Sequence, residues 1–237
     1  MKKYIIIQGC RNSGKDTIVN YINWLLNTNS IFHYYWIAKL FKFKPFFNRW
    51  HTTKYATPIK KILSIILNVP EEKFEDRSFK EYWYFSFKDF KLCHINELKS
   101  GQFLTDKDMS RKLKKDNLDF ILEYYLSIRQ ILQVFGTEVM RKFFGDKLWI
   151  NITLSKDEKN IIVADQRFEI ENFVSSNIYN SNIIHINRPN NQVLEHRSEM
   201  EVAMLYEHKK YDYLIENDGT LKDLFYKCKN IIKQICG

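Results

Sequence analysis

The stretch Gly9-Cys10-Arg11-Asn12-Ser13-Gly14-Lys15-Asp16-Thr17 fits the pattern G-x-x-x-x-G-K and decides the fold class. An apolar run at residues 4–8 comes directly before it and predicts a buried β-strand. From Asp16 onward, apolar residues recur at helical spacing and predict an α-helix. Because the glycines allow a tight turn, successive backbone N–H groups can surround phosphate oxygens at the positive end of that helix. The sequence therefore predicts a phosphate-binding loop.

Three residues of this loop have distinct predicted tasks. Lys15 reaches the outer phosphates as charge develops during phosphoryl transfer. Asp16 stands where a hydroxyl residue usually contacts Mg²⁺, and a carboxylate can also ligate that ion, directly or through water. Thr17 keeps a hydroxyl for a phosphate oxygen. We therefore expect ATP and Mg²⁺ as cofactors, with the nucleotide bound by Gly9, Arg11, Asn12, Ser13, Gly14, Lys15, Asp16 and Thr17.

Further apolar runs at residues 161–164, 183–186 and 213–215 predict three more buried strands. Helices are predicted from Pro58 to Asn68, over residues 118–135, and over residues 221–235, the last capped by Thr220. Short apolar strands separated by helices favour an α/β fold, a three-layer parallel sheet with helices on both faces. We expect a single domain over residues 1–237, with a helical insertion over residues 27–128.

Composition limits the class of protein. The chain has 237 residues, of which 45% are hydrophobic and 16% aromatic, so a folded domain with a sizeable core is expected. No apolar run approaches the ~20 residues that span a bilayer, and the first residues lack the pattern of a signal peptide. We expect a soluble protein in the cytoplasm, without a membrane partner.

The net charge of +9 is concentrated in one segment. Residues 31–70 contain no Asp or Glu and seven Lys or Arg, interleaved with aromatic residues. Such a stretch suits a phosphate-bearing partner, small or polymeric. An ordinary basic surface above an aromatic core explains the same pattern, and the sequence favours this second explanation.

Beyond the loop, four further segments form a recognisable series. They are Ala56-Thr57-Pro58-Ile59-Lys60; Phe74-Glu75-Asp76-Arg77-Ser78-Phe79-Lys80-Glu81; Arg129-Gln130-Ile131-Leu132-Gln133 with Gly136-Thr137-Glu138, Arg141, Asp146 and Trp149; and Val163-Ala164-Asp165-Gln166-Arg167-Phe168 with Glu171. Together with Gly14-Lys15-Asp16-Thr17, this series resembles the phage-type deoxynucleoside monophosphate kinases. The resemblance covers most of the chain outside residues 27–55 and 82–128.

The resemblance implies a P-loop kinase fold with a core sheet, a substrate-binding flap and a lid, the lid lying near residues 196–199. It also implies phosphorylation of deoxynucleoside monophosphates to diphosphates. The residues expected to bind the substrate are Lys60, Arg77, Arg129, Gln130, Gln133, Thr137, Glu138 and Arg141. Spacing alone supports part of this set, because Arg129, Gln133 and Thr137 lie four apart on one helical line. Such a line suits a phosphate monoester and a base edge.

Asp165 follows a predicted buried strand, at the sheet edge where α/β folds place their ligands. It is a candidate to bind Mg²⁺ through water or to orient the acceptor, and Arg167 is a candidate to neutralise the transferred phosphoryl group. A purely structural pairing of Asp165 with Arg167 explains the two residues equally well. The predicted catalytic set is Lys15, Asp16, Asp165 and Arg167, with Asp16 and Asp165 as metal ligands. By the resemblance, Arg188 lies near the ATP base.

Two other functions fit parts of the sequence. The Gly-Lys-Asp loop also resembles that of animal-type phosphomevalonate kinases, although the Gly-Thr-Glu-x-x-Arg stretch at residues 136–141 weighs against this assignment. The basic segment leaves open a nucleic-acid-binding protein with a non-catalytic nucleotide site. The predicted partner is a small nucleotide, and the sequence leaves a homodimer open.

Overall fold

The computed structural model describes residues 3–86, 90–100, 125–155, 160–189 and 197–236. The chain forms two compact units, the first made of Met1–Tyr55 and Asp146–Gly237 and the second of Ala56–Gly145. The strands are β1 Lys3–Gln8, β2 His51–Thr53, β3 Trp83–Ser86, β4 Lys91–His94, β5 Tyr125–Ser127, β6 Asn160–Gln166, β7 Asn182–Asn187 and β8 Tyr213–Glu216. The α-helices are α1 Lys15–Leu26, α2 Tyr35–Leu40, α3 Thr57–Leu67, α4 Arg77–Tyr82, α5 Ile95–Ser100, α6 Ile128–Gln133, α7 Lys142–Phe144, α8 Leu148–Leu154, α9 Glu169–Asn177, α10 Arg197–Glu207 and α11 Leu221–Cys236.

The first unit is built on a five-stranded parallel sheet in the order β2-β6-β1-β7-β8. β1 lies at its centre, and Ile5, Ile6 and Ile7 are all fully buried. Since successive side chains point to opposite faces of a strand, both faces of the sheet must be covered. The predicted α/β fold with a helix-covered parallel sheet is therefore confirmed.

One face of this sheet packs against α1 and α11. Ile18 and Ile22 of α1, together with Phe225 and Cys228 of α11, join the strand residues in one buried cluster. The segment between α1 and β2 adds aromatic rings to it. Tyr35 lies 5.8 Å from Phe225, centroid to centroid. Part of the basic aromatic segment is thus core.

The second unit contains a three-stranded antiparallel sheet in the order β4-β3-β5. Its core comprises Leu63, Leu67, Val69, Phe74, Phe79, Phe85, Ile128 and Ile131. The sequence predicted only helices here, because these strands have three or four residues each and owe their stability to pairing between distant segments. The single-domain organisation with an insertion over residues 27–128 stays a prediction.

The helix predicted over residues 118–135 is corrected by the structure. Residues 118–124 lie outside the described part of the chain, and residues 125–127 form β5 and pair with β3. The helix begins at Ile128, where Ser127 and Gln130 form a reciprocal cap: each side chain accepts the other's backbone N–H, at 3.2 and 2.9 Å. The prediction was wrong at this end because apolar residues such as Tyr125 occur at helical spacing but are buried as part of β5.

Past α6 the helix continues as a π-helix over Val134–Arg141, then as α7, and it ends at Gly145. Gly136 lies within this π-helix, where a Cβ would come 2.9 Å from the Ile59 side chain. The residue thus permits close packing against α3 and does not break the helix.

Other predicted boundaries agree with the structure. Pro58 lies in the first turn of α3, and Asn68 ends that helix in a left-handed conformation. The Thr220 hydroxyl accepts the backbone N–H of Asp223 at 3.2 Å and caps α11. All four cysteines are free thiols. Within the described ranges, no helix is long and apolar enough to cross a membrane.

Replacing Ser127 with alanine tests where α6 begins. If Ser127 is the cap, Ser127→Ala removes the acceptor of the Gln130 N–H and lowers the free energy of unfolding by ~1 kcal/mol. Urea unfolding measures this change, and Ser127→Thr, which keeps the hydroxyl, should lose much less. Were residue 127 inside a helix instead, Ser127→Ala would raise stability, because alanine is the better helix former.

Candidate active site

The loop between β1 and α1 has two glycines that no larger residue can replace without displacement. A Cβ on Gly9 would lie 2.6 Å from the Ile186 carbonyl oxygen, and one on Gly14 would lie 2.5 Å from Asn217 Nδ2. Gly14 also has φ +100°, a backbone conformation that L side chains rarely adopt. The sequence explains the two glycines by the tight turn. The structure shows in addition that Gly9 lies against β7 and Gly14 against Asn217.

Asn217, directly after β8, supports the loop from the side. Its Nδ2 donates to the Ser13 carbonyl oxygen at 2.8 Å, and its backbone N–H donates to the Asn187 carbonyl oxygen at 2.7 Å. The tripeptide Asn217-Asp218-Gly219 has the composition of a turn. The contact with Ser13 spans 204 residues of sequence, so local pattern carries no signal for it.

Lys15, the first residue of α1, folds back over its own loop. Its Nζ donates to the carbonyl oxygens of Gly9 and Cys10, at 2.6 and 2.5 Å. Burial lowers the pKa of Lys15 to about 8, helped by the positive charge of Arg167 and opposed by the carboxylate of Glu199. The amine therefore stays largely protonated at pH 7 and becomes neutral in mildly alkaline solution.

The two carboxylates predicted to bind metal have different surroundings. Asp16 has a side chain that is 88% exposed and lies 3.7 Å from Lys54 Nζ. Asp165, the residue before the last of β6, accepts the Tyr55 backbone N–H at 2.6 Å. Within the part of the chain that the structure describes, no group of three or more His, Cys, Asp or Glu side chains forms a ready metal site.

Arg167 is paired with Glu199 of α10. Its Nη1 lies 2.5 Å from Glu199 Oε1, while Glu199 Oε2 accepts the Arg11 backbone N–H at 2.6 Å. The Glu199 carboxylate thereby links α10 to the phosphate loop and to Arg167, the residue directly after β6. The lid expected near residues 196–199 falls partly at the start of α10, and His196 lies outside the described residues. Arg188 Nη1 approaches the Asn12 carbonyl oxygen at 3.4 Å.

A buried polar network lies beneath the loop, at the carboxyl ends of three strands. Gln8 Oε1 accepts from Gln166 Nε2 at 2.7 Å and from Asn172 Nδ2 at 3.1 Å. Gln8 Nε2 in turn lies 3.1 Å from His185 Nδ1. Burial, and then the charge of Lys15, lower the pKa of His185 to about 4. The imidazole is therefore neutral at pH 7, and the network fixes the strand ends that carry the loop.

In the second unit, the predicted substrate residues divide by their contacts. Lys60 is buried and lies 2.5 Å from Glu75, and Arg129 donates to Glu81 through Nη2 and Nε at 2.8 and 3.0 Å. The remaining predicted residues in this unit are Arg77 and Glu138, which are exposed; Gln133 and Thr137, which are half-buried; Arg141, which is buried; and Gln130, which caps α6.

The π-helix changes how Arg129 and Arg141 are related. With ~100° per residue, twelve residues of α-helix would leave them ~120° apart around the axis. An i→i+5 helix turns by only ~80° per residue, so with eight of those twelve steps in the π-helix the two Cα positions are only about 40° apart around the axis. By this estimate the π-helix brings the two arginines closer together around the axis than an α-helix would.

Residues 3–228 of the chain match the family model of the deoxynucleotide monophosphate kinases. The chain belongs to this family. It is accordingly a phosphotransferase with a P-loop, and its substrate is a small nucleotide; the resemblance seen in the sequence motifs is confirmed. The phosphomevalonate kinase alternative gains no support from the match.

Among solved structures, dephospho-CoA kinase from Campylobacter jejuni aligns with a TM-score of 0.40 and 16% identity, covering 99% of this chain and 98% of that chain. A search of curated protein sequences found no significant match.

Substituting Gly14 tests whether the loop depends on its contact with Asn217. Gly14→Ala imposes an unfavourable φ and pushes Asn217 away from Ser13, so we expect nucleotide affinity to fall at least tenfold and stability to fall by ~1–3 kcal/mol. Isothermal titration with ADP and urea unfolding measure the two effects.

Gly145→Ala is the matched control, because Gly145 also has positive φ but nothing lies within 4 Å of its would-be Cβ. It should cost stability alone. Equal loss of ADP affinity in both variants would show that backbone strain, and not the approach to Asn217, explains the Gly14 requirement.

Proposed function

We propose that the chain transfers the γ-phosphoryl group of ATP, with Mg²⁺, to the 5′-phosphate of a deoxynucleoside monophosphate. An oxygen of the acceptor phosphate bonds to the γ-phosphorus while the bond to the β–γ bridging oxygen breaks, giving a deoxynucleoside diphosphate and ADP. The observation that carries the proposal is the phosphate loop with a half-buried Lys15 held against two of its carbonyl oxygens, in a chain of this family. Four free thiols favour a reducing compartment such as the cytoplasm.

The loop would act by positioning and charge, without a covalent intermediate. The Lys15 amine, held by two carbonyl oxygens, has only to exchange those neutral acceptors for phosphate oxygens. A phosphate is the stronger acceptor because it is charged. Arg167, oriented by Glu199, neutralises charge on the transferred group, and Arg188 beside Asn12 is the candidate to contact the base.

Asp16 and Asp165 are the candidates to hold Mg²⁺, which would supply charge neutralisation between the outer phosphates. The donor set fits this ion, because Mg²⁺ is usually bound through one or two carboxylates together with phosphate oxygens and water. Asp16 is well exposed for such a role.

For the acceptor, we propose contacts from Lys60, Arg77, Arg129, Gln130, Gln133, Thr137, Glu138 and Arg141. Arg129 and Arg141 are assigned to the 5′-phosphate, because guanidinium groups bind phosphate oxygens bidentately and the π-helix reduces the angle between the two residues around the helix axis. The first experiment is a coupled ATP-consumption assay across the four deoxynucleoside monophosphates and their ribose counterparts. Turnover of none of them would refute the proposal.

Lys15→Met should nearly abolish turnover while the protein stays folded. Removing one preorganised charge from the outer phosphates typically costs ~3–4 kcal/mol, or roughly a hundred- to a thousand-fold in kcat. The coupled assay measures the rate, and circular dichroism checks the fold. Lys54→Met, on the lysine beside Asp16, is the control and should retain most activity. A Lys15→Met enzyme above a tenth of the normal rate would rule out this loop as catalytic.

Arg129→Ala and Arg141→Ala should each raise KM for the deoxynucleoside monophosphate much more than KM for ATP. A charge-assisted hydrogen bond contributes ~1.5–3 kcal/mol, so an increase of roughly ten- to a hundred-fold is expected. Steady-state kinetics with each substrate varied in turn separates the two constants. Lys142→Ala removes an exposed cation next to Arg141 and should change neither. Efficient phosphorylation of deoxynucleosides would contradict the assignment.

A second candidate function concerns the exposed part of the basic aromatic segment. Trp36 and Leu40 are 66% and 71% exposed, and Lys39, Lys42 and Lys44 are exposed beside them. Basic residues with exposed aromatic rings suit single-stranded nucleic acid. Fluorescence anisotropy with a labelled oligonucleotide tests this: affinity should fall steeply with salt. No affinity at 50 mM salt would leave the segment as an ordinary protein surface.

A further inference from the structure

The turn between β6 and α9 carries Arg167 and is only two residues long. β6 ends at Gln166 and α9 begins at Glu169, so Arg167 and Phe168 alone join the strand to the helix. Phe168 stands directly before the helix in an extended conformation, with φ −100° and ψ 147°. Its side chain offers no acceptor for backbone N–H groups, unlike the Ser, Thr, Asp or Asn usual at this position. Another group has to hold this turn.

Glu171 supplies the acceptor that Phe168 lacks. Its Oε2 accepts the backbone N–H of Arg167 at 2.9 Å and that of Phe168 at 3.1 Å. Glu171 is the third residue of α9, a position from which glutamate commonly turns back to the residue before the helix. Only 2% of Glu171 is exposed, and a buried carboxylate is costly unless hydrogen bonds compensate it. These contacts therefore fix the carboxylate and the turn together.

Arg167 is thereby held at both ends. At the far end, its Nη1 lies 2.5 Å from Glu199 Oε1, which leaves other N–H donors of the guanidinium for phosphate oxygens. At the near end, Glu171 holds the backbone from which the side chain starts. A backbone shift at this turn would displace the guanidinium, and a misplacement of ~1 Å at a reacting centre can lower a rate by roughly a hundredfold.

The same face of α9 also supports Asp165. Glu171 and Ser175 lie four residues apart and therefore on one side of the helix. The Ser175 Oγ lies 2.9 Å from the Tyr55 hydroxyl, and the Tyr55 backbone N–H donates to Asp165 at 2.6 Å. One helix face thus reaches both functional residues at the end of β6.

We propose that Glu171 is a positioning residue of the kinase site: its two backbone hydrogen bonds fix the turn from which Arg167 reaches the transferred phosphoryl group. The proposal rests on the proposed function, which assigns that task to Arg167. Glu171 acts through the place of its acceptor oxygen, so a neutral side chain of the same shape should serve equally well.

Two replacements separate the acceptor from the charge. Glu171→Gln removes the charge and keeps a side-chain oxygen that can accept both N–H groups. Glu171→Met has a similar length and no oxygen. We therefore expect Glu171→Gln to behave nearly like the wild type and Glu171→Met to lose the function of the turn.

Glu201 provides the matched control, because its carboxylate also holds the start of α9. It accepts the Glu169 backbone N–H at 2.9 Å and pairs with Arg197 Nε at 2.7 Å. Glu169 comes directly after Phe168, so Glu201→Met weakens the same helix end without releasing Arg167. Any effect of a weaker helix start should appear in this variant as well.

The first arm measures amide hydrogen exchange by NMR in protein without nucleotide. In Glu171→Met the amides of Arg167 and Phe168 should exchange at least roughly tenfold faster than in the wild type, and in Glu171→Gln by less than about threefold. Glu201→Met should accelerate exchange at Glu169 alone. Unchanged exchange at Arg167 and Phe168 in Glu171→Met would overturn the proposal.

The second arm measures the displacement of Arg167 by isothermal titration with ATP and with ADP. Because Arg167 is assigned to the phosphoryl group that only ATP carries, Arg167→Gln should weaken ATP binding more than ADP binding. Glu171→Met should lower the ratio of ATP affinity to ADP affinity by roughly three- to tenfold, and it should add little in an Arg167→Gln background. Glu171→Gln and Glu201→Met should keep the wild-type ratio. A wild-type ratio in Glu171→Met, or full additivity with Arg167→Gln, would contradict a positioning role.

The third arm measures turnover of the deoxynucleoside monophosphate. Glu171→Met should lower kcat roughly ten- to a hundred-fold and leave KM for the acceptor within about threefold, whereas Glu171→Gln should keep most of the rate. Equal losses in the Met and Gln variants would show that the charge is what matters, against the proposal. A loss in Glu201→Met as large as that in Glu171→Met would reduce Glu171 to a helix cap.

If Glu171→Met fails to fold, Glu171→Asp takes its place. Aspartate withdraws the carboxylate by about one C–C bond, ~1.5 Å, so at least one of the two N–H groups should lose its acceptor. The ATP-to-ADP affinity ratio should then fall in the direction seen for Arg167→Gln, and a wild-type ratio would overturn the proposal. Wild-type protein that turns over no deoxynucleoside monophosphate would refute the proposed function, and the exchange and binding arms would still decide the role of Glu171.

Discussion

The first unit depends on the contact between the phosphate loop and the neighbouring strand β7. Gly9 approaches the Ile186 carbonyl oxygen so closely that a Cβ would lie 2.6 Å away. This approach is possible because β1 sits between β6 and β7 and its residues are buried on both faces. The central strand thus delivers the loop to the carboxyl edge of the sheet, where the N–H groups at the start of α1 converge.

Few charged side chains lie at this carboxyl edge of the sheet, and their charges partly cancel. Lys15 and Arg167 are cations that repel each other, and the buried carboxylate of Glu199 lies between their elements. Phosphate oxygens would add negative charge to the same place. The polar network of Gln8, Gln166 and His185 contributes no charge at pH 7, because burial keeps the imidazole neutral. It can therefore support the strand ends without competing for the phosphates.

The sequence predicted those features whose cause is local. Continuous apolar runs identified β1, β6, β7 and β8, and the glycine spacing identified the loop, because both patterns follow from the immediate backbone. The three short strands of the second unit, and the roles of Asn217 and Glu199, depend on partners far away in sequence. Glu199 meets Arg11 across 188 residues, and such a pairing leaves no periodic signal.

The segment Val134–Arg141 shows how a prediction can depend on geometry that the sequence does not display. Helical spacing predicted that Arg129, Gln133 and Thr137 form one line, and the family resemblance added Arg141 to the same set. An α-helix would have carried Arg141 about a third of a turn away from Arg129. The wider π winding reduces this offset to about 40°, and Gly136 lets the helix pack against Ile59. π-helical turns are often found at functional sites, since they change the direction of side chains without ending the helix. The motif residues 136–141 fall within this winding, so the conformation itself is a reason to assign that segment to the acceptor.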